Sequence, residues 1–466
     1  MEGAVCRDLE AAVGSETGSA DSLMEPNTEI EDKCQYELMV TALKSMIANP
    51  EPSFSFTNRI KRVPDHLRKV NEQAYSPMVI SIGPIHHYDE NLQNMEEFKV
   101  GYLKFVLDRA NVKLMDLVIA IREKEESIYC CYTEIEHGMG VDEFFNVILV
   151  DAIFVLEFIY RRVEKCRVED DFLIRDQVDF IVRDLVLLEN QLPFFVLERL
   201  FDCIDRYSSK YSLIDLIFEF FEPYNVQAMR PKSGEIAHFV ALIRGFQLPP
   251  RLLPEGECLP EGECLPESEP LPERVTGYGM ATLMYSATQL HGAGVKFRVS
   301  PSNCLLDITF DFRSGVLEMP CLELYEKTEA LVRNVMAYEQ YCFRDEVYIR
   351  DYYLFLDRLV NTTKDVDLLC EKGIIRNYLG DNDAVTSLVN KLNVHVFWSG
   401  VHPNHHRIFN ELNCFYEKPW HKWRATLRRQ YFSTPWRIAS TIAAIILLVF
   451  TFVQTVCSII QIVPIV

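Results

Sequence analysis

The chain has 466 residues, and its 47 Lys and Arg stand against 68 Asp and Glu, giving a formal charge of −21. A chain this acidic lacks the basic face that a phosphate backbone requires, which argues against nucleic-acid binding as its main task. Hydrophobic residues make up 48% of it, enough for a large core at a length where burial is no longer marginal.

Residues 1–30 are acidic and rich in Gly, Ser and Glu, and read as a disordered tail. They have neither a basic start nor a continuous apolar stretch, so no signal peptide is expected there. Apolar residues at helical spacing predict a helix over 31–48. The next segment is punctuated by Pro64, Pro77, Gly83 and Pro84, which predicts short irregular pieces before a helix starting near Leu92. From about 92 to 246 the pattern is helical. Segment 144–162 is apolar nearly all round apart from Asn146, Asp151, Glu157 and the closing Arg161 and Arg162. Its acidic residues make it a poor membrane span, so it is expected to be a central buried helix. Segments 172–189 and 191–203 read as two helices broken near Pro193.

Residues 253–273 repeat the unit LPEGEC with decay, a Pro in every unit and many glutamates. That composition predicts an extended, solvated linker over 251–275 rather than a Pro-rich docking ligand, since the basic anchor such ligands use is missing. The linker separates an N-terminal helical part, 31–250, from a C-terminal part, 276–430. In the latter a helix over 279–291 leads to three strands, VKFRVS, LLDITFDF and GVLEMP, expected to form a small antiparallel β-meander. Helices are expected over 327–341, 345–362, 364–372 and 381–393. The predicted fold is mainly α: a large helical domain, this meander and a C-terminal transmembrane helix.

Residues 438–466 carry no charged side chain. At about 1.5 Å per residue this tract is long enough for the roughly 30 Å hydrocarbon core, and a transmembrane helix over 438–463 is expected. Lys418, Lys422, Arg424, Arg428, Arg429 and Arg437 precede it, interleaved with Trp420, Trp423, Tyr431 and Trp436. Cations favour the cytoplasmic side, and Trp and Tyr the headgroup layer. The expectation is therefore a tail-anchored protein with a single C-terminal span and its bulk in the cytosol. The length of the span leans toward the plasma membrane over endomembranes. The 14 cysteines are scattered and fit free thiols in a reducing compartment.

Chemical motifs are sparse. There is no Gly-rich phosphate loop, HExxH or GxSxG, and no cofactor is expected. His86 and His87, beside Asp89 and Glu90, form the best cluster for metal or acid–base work. Their nearest counterpart, His402, His405 and His406, is far away in sequence, and hydrogen bonding within the loop is the preferred reading. Asp184, Glu189, Asn190 and Gln191 form a polar cluster in RDLVLLENQLPFF. Such carboxylates can serve acid–base catalysis, but more often satisfy buried backbone groups at a helix break. Arg333, Asn334, Glu339 and Gln340 make a polar strip on one helix that can join the ENQ segment in a buried network.

These unusual segments occur in a fixed order: RVPDHLRKVNEQAYSPMVISIGPIHH at 62–87, RDLVLLENQLPFFVLERLF at 183–201, GVKF at 294–297, RNVMAYEQ at 333–340 and DVDLLCEKGIIRNYLG at 365–380. With the PW-containing tail they resemble the plant proteins grouped as domain of unknown function 247, the UPF0481 type. The resemblance runs from about residue 37 to the C-terminus. It implies a plant membrane protein without an established enzymatic activity or agreed catalytic residues, and a branch in grasses is implicated in pollen-side self-incompatibility. The expectation is a membrane-anchored component of protein–protein recognition or signalling, with an unknown protein partner. The alternative is an uncharacterised enzyme with a site near His86, His87, Glu189 and Asn190.

Overall fold

A computed structural model describes residues 59–110, 112–135, 138–164, 177–204, 211–230, 236–249, 282–343, 346–396, 400–419 and 435–462. The acidic head, the helix expected over 31–48, the hexapeptide repeat and most of the basic stretch before the terminal helix lie outside the described residues. The described part is mainly helical, with a small β component.

The N-terminal half contains α1 (Asp65–Arg68), α2 (Glu96–Arg109), α3 (Leu114–Arg122), α4 (Glu125–Cys130), α5 (Val141–Val163), α6 (Val178–Asp184), α7 (Phe194–Asp202), α8 (Leu213–Phe220) and α9 (Phe239–Gln247). Its axis is α5, the apolar segment expected to be buried. Asp142 and Glu143 in its first turn and Arg161 and Arg162 in its last complement the helix dipole. Between them Ile148, Ala152, Ile153, Phe154, Leu156 and Ile159 are fully buried. Helices α2, α3, α7 and α8 pack around it, with Tyr102 against Phe154 at 5.0 Å and Phe220 edge-on to Phe158 at 6.0 Å.

The two helices expected on either side of Pro193 are shorter than predicted. Residues 185–193 are not helical, and Pro193 stands just before the start of α7. Side-chain amides of Asn190 and Gln191 bond the carbonyls of Asp184, Leu185 and Leu187, which a continuing helix would have used itself.

The C-terminal half contains α10 (Ala287–Ala293), β1 (Lys296–Val299), β2 (Thr309–Asp311), β3 (Val316–Met319), β4 (Leu322–Leu324), α11 (Thr328–Cys342), α12 (Tyr348–Leu359), α13 (Thr363–Glu371), β5 (Ile375–Asn377), α14 (Asn382–Leu392) and α15 (Pro403–Glu417). Helix α10 starts later than expected because Ser286 caps it, its N–H bonded to Gln289 Oε1 at 2.9 Å. The three predicted strands are present, but their order is β1-β3-β2, with β1 parallel and β2 antiparallel to β3. The sheet is mixed rather than a meander because β3 is the strand that is apolar on both faces. Val316, Leu317 and Met319 are buried there, whereas β1 and β2 each bury one Phe and expose the alternate positions. A second pairing, β4 with β5 in parallel, joins segments about fifty residues apart.

One continuous apolar core runs from Ile60 to Phe415 through both halves. Beyond it lies α16 (Pro435–Ile462), whose Ala439–Ser458 stretch is long and apolar enough to cross a membrane, with none of it buried by the rest of the chain.

Candidate functional site

Residues 78–83 run without helix and without a strand partner, yet Ile80, Ser81, Ile82 and Gly83 are buried. Buried backbone N–H groups need acceptors, and here side chains from distant helices supply them. Asp184, at the end of α6, accepts from Met78, Val79 and Ile80 at 2.8–3.1 Å. Asn190 Oδ1 accepts from Ile82 at 2.7 Å, and its amide donates to the Ile80 carbonyl at 3.1 Å. Asp151, from the middle of α5, accepts from Gly83 at 2.7 Å. Burial pushes the Asp184 carboxyl up against the opposing pull of these N–H groups and of Arg183.

Gly83 has φ +77°, and a Cβ on it would stand 2.8 Å from the Gln191 carbonyl oxygen. Gly83→Ala therefore combines a disfavoured backbone with a clash against main chain, and is expected to cost about 1–3 kcal/mol. A fall in the urea midpoint of the detergent-solubilised protein measures this, and an unchanged midpoint would contradict the geometry.

Glu189 sits at the edge of this framework and brings together the strongest sequence candidates. Its Oε1 accepts from the Val63 N–H at 2.7 Å, its Oε2 accepts from His86 Nε2 at 2.9 Å, and the Arg68 guanidinium bonds both oxygens. Burial works to raise the Glu189 pKa. The hydrogen bond from His86, the charges of Arg68 and His86, and the Val63 N–H outweigh it and hold the carboxyl below the usual range. The His86 side chain keeps 9% of its surface exposed and that of Arg68 17%, so the corner touches solvent. A carboxylate with its acceptor positions filled and its proton affinity lowered is a poor general base or acid near neutrality.

The other candidates divide. Gln191 donates to the carbonyls of Leu185 and Leu187 and accepts from the Val240 N–H. Asn334 does reach the ENQ segment, accepting from the Leu188 N–H at 2.7 Å while donating to the Ala74 and Ala330 carbonyls. Arg333 does not; it pairs with Glu329 at 2.8 Å and donates to the Lys391 carbonyl. Glu339 accepts from Arg244 Nε at 2.9 Å and from the Arg350 N–H at 3.0 Å. Burial pushes its carboxyl up against the pull of Arg244. Gln340, half-buried, takes no part in these bonds. His87 stands apart, its ring 5.2 Å from that of Tyr88. His402 caps α15, and His405 packs on Phe355. Among the described residues no group of three or more His, Cys, Asp or Glu could hold a metal ion, and the described cysteines are free thiols.

Sequence reasoning missed the pair behind Gly83. Lys99 of α2 is fully buried, with its Nζ 2.7 Å from Asp151 Oδ1 and 2.6 Å from Glu96 Oε1. Burial raises the Asp151 pKa to about 6, with Lys99 pulling it back down. The signal for it was an acidic residue inside an otherwise apolar helical run.

The polar residues of the ordered motifs thus hold the chain's own backbone. The profile of a plant family described as "Plant protein of unknown function" (DUF247) matches residues 60–450. This chain belongs to that family. It is similar to the UPF0481 protein At3g47200 of Arabidopsis thaliana, 27% identical over 86% of each chain. A second UPF0481 protein of the same plant, At3g02645, is 22% identical over 85% of this chain and 89% of its own length. No solved structure matches. The DUF247 match begins at Ile60, beside the first bond of the framework, and so takes in the whole buried network as well as most of α16.

Proposed function

We propose that this DUF247 protein is a membrane-anchored recognition or signalling component, held by α16 with its folded domain on the cytosolic side and acting by contact with another protein. The observation that carries the reading is α16 itself: 28 residues, about 42 Å of helix, with large apolar side chains such as Leu447, Leu448, Phe450 and Phe452 exposed. Water does not tolerate such a face over that length. The basic, aromatic sequence before it supports a cytosolic domain, as do the free thiols. The length and bulk of the span favour the plasma membrane. The polar motifs are committed to folding, which leaves the acidic surface as the means of recognition, with a basic partner steered by charge.

Full-length protein is expected to stay in the membrane pellet after a carbonate wash, and a variant ending at residue 434 to move to the supernatant. Retention of the shortened form sinks the anchor. Protease should digest the folded domain from the cytosolic side of sealed vesicles. A protein retained at one-to-one stoichiometry through purification supports recognition, whereas an isolated monomer at every step counts against it. A pollen role of the kind the grass branch implies requires the transcript in pollen.

Catalysis is the second reading, favoured by the convergence of His86 and Glu189 at a solvent-touching corner. The saturation of Glu189 weighs against it.

A further inference from the structure

The last turn of α15 is where the folded domain hands the chain on toward α16, and it is pinned to the small sheet. Phe415 packs edge-on to Phe310 at 5.8 Å and Phe312 at 5.9 Å. Gly315, in the β2–β3 hairpin, has φ +67°, and a Cβ there would lie 2.7 Å from the Phe415 ring. Tyr416 stacks on Tyr285 at 3.7 Å. Asn413 ties the segment before α10 to the helix, accepting from the Met284 N–H at 3.1 Å and donating to the Thr282 carbonyl at 2.9 Å. Lys418 lies over the Phe312 ring at 4.1 Å. Hairpin, helix end and the segment before α10 therefore form one firm surface around the exit point.

We propose that this surface, made by Met284, Tyr285, Phe312, Arg313, Tyr416 and Lys418, rests on the headgroup layer of the anionic leaflet. The proposal rests on the membrane-anchored reading above and adds an orientation to it. Three observations favour a bilayer as occupant. The residues are those of an interfacial belt, with aromatic rings and cations beside an apolar tip, Met284 being 68% exposed. Residues 418–434, which link this surface to α16, hold five Lys and Arg besides Trp420, Trp423 and Tyr431 and no acidic residue, a headgroup-seeking composition. Finally, an anionic leaflet repels most of a molecule of charge −21. Here Arg313 and Lys418 balance Asp311 and Glu417, so this face meets no such penalty.

The test is photocrosslinking of full-length protein in vesicles of phosphatidylcholine and phosphatidylserine, four to one, carrying a headgroup-photoreactive phosphatidylserine, with adducts mapped by mass spectrometry. The comparison region is α3, where Leu114, Met115 and Ile119 are also exposed and apolar. Adducts on 282–285, 312–313 and 416–418 at least fivefold above those on α3, and reduced by Met284→Glu with Lys418→Glu, are the expected result. Protein that resists carbonate extraction from these vesicles but shows no enrichment on this surface overturns the orientation and leaves the anchor standing. Protein that carbonate extracts from these vesicles overturns the anchor and the orientation together.

Discussion

Replacing Asp184 by Ala is expected to lower stability by about 3–5 kcal/mol, a large share of the 5–15 kcal/mol typical of a folded domain. One carboxylate accepts from three successive backbone N–H groups, at Met78, Val79 and Ile80, and pairs with Arg183 at 2.8 Å. A buried donor left without its acceptor costs about 1–3 kcal/mol. Met78 is exposed enough for water to replace its bond, so Val79 and Ile80 carry most of the loss. Asp184→Asn keeps one acceptor oxygen and the shape, and should lose about half as much. Urea unfolding of the detergent-solubilised protein followed by circular dichroism measures both. Equal, small losses for the two variants would show that the 78–83 segment does not depend on this side chain.

Lys99→Met is expected to cost about 3–5 kcal/mol at pH 8, because it strands Asp151 as a buried carboxylate without its counter-charge. The loss should shrink toward pH 5. Burial already raises Asp151 to about 6 in the folded state, so the folded form binds the proton more tightly than the unfolded chain. That contribution to stability is fully present below the unfolded value of about 4 and disappears as pH rises through about 6. Removing Lys99 takes away the chief opposing pull and moves the folded value further up, which widens the window. Lys99→Met combined with Asp151→Asn should recover most of the loss, since the introduced amide can still accept from the Gly83 N–H without bringing a charge into the core. A deficit that is the same at pH 5 and pH 8 would mean that Asp151 is not the stranded group.

Both predictions concern a framework whose pieces are far apart in the chain. The motif residues at 184, 190 and 191 hold a segment a hundred positions earlier, or their own turn, in place of a sheet. In this chain their physical role is to satisfy buried backbone, which they do without acting as reactive groups.

Periodicity and composition already specify α5, α11, α12, α13 and α14, because helical bonding is local and an apolar stripe reports its own burial. The terminal helix, charge-free from residue 438 onward, is equally legible, since length and composition are all that it needs. Tertiary structure alone decided the rest. Residues 185–193 leave the helix because Asn190 and Gln191 take up its carbonyls. Strand β3 becomes central because it is apolar on both faces, and β4 pairs with β5 across the three helices α11 to α13 that separate them in the chain. Asn334 joins the ENQ turn and Arg333 does not, although they are adjacent in the chain. Lys99 is tolerated in the core only because Asp151 and Glu96 meet it there. A side chain's type limits which bonds it can make, but only the packed fold brings a partner from a hundred residues away within 3 Å.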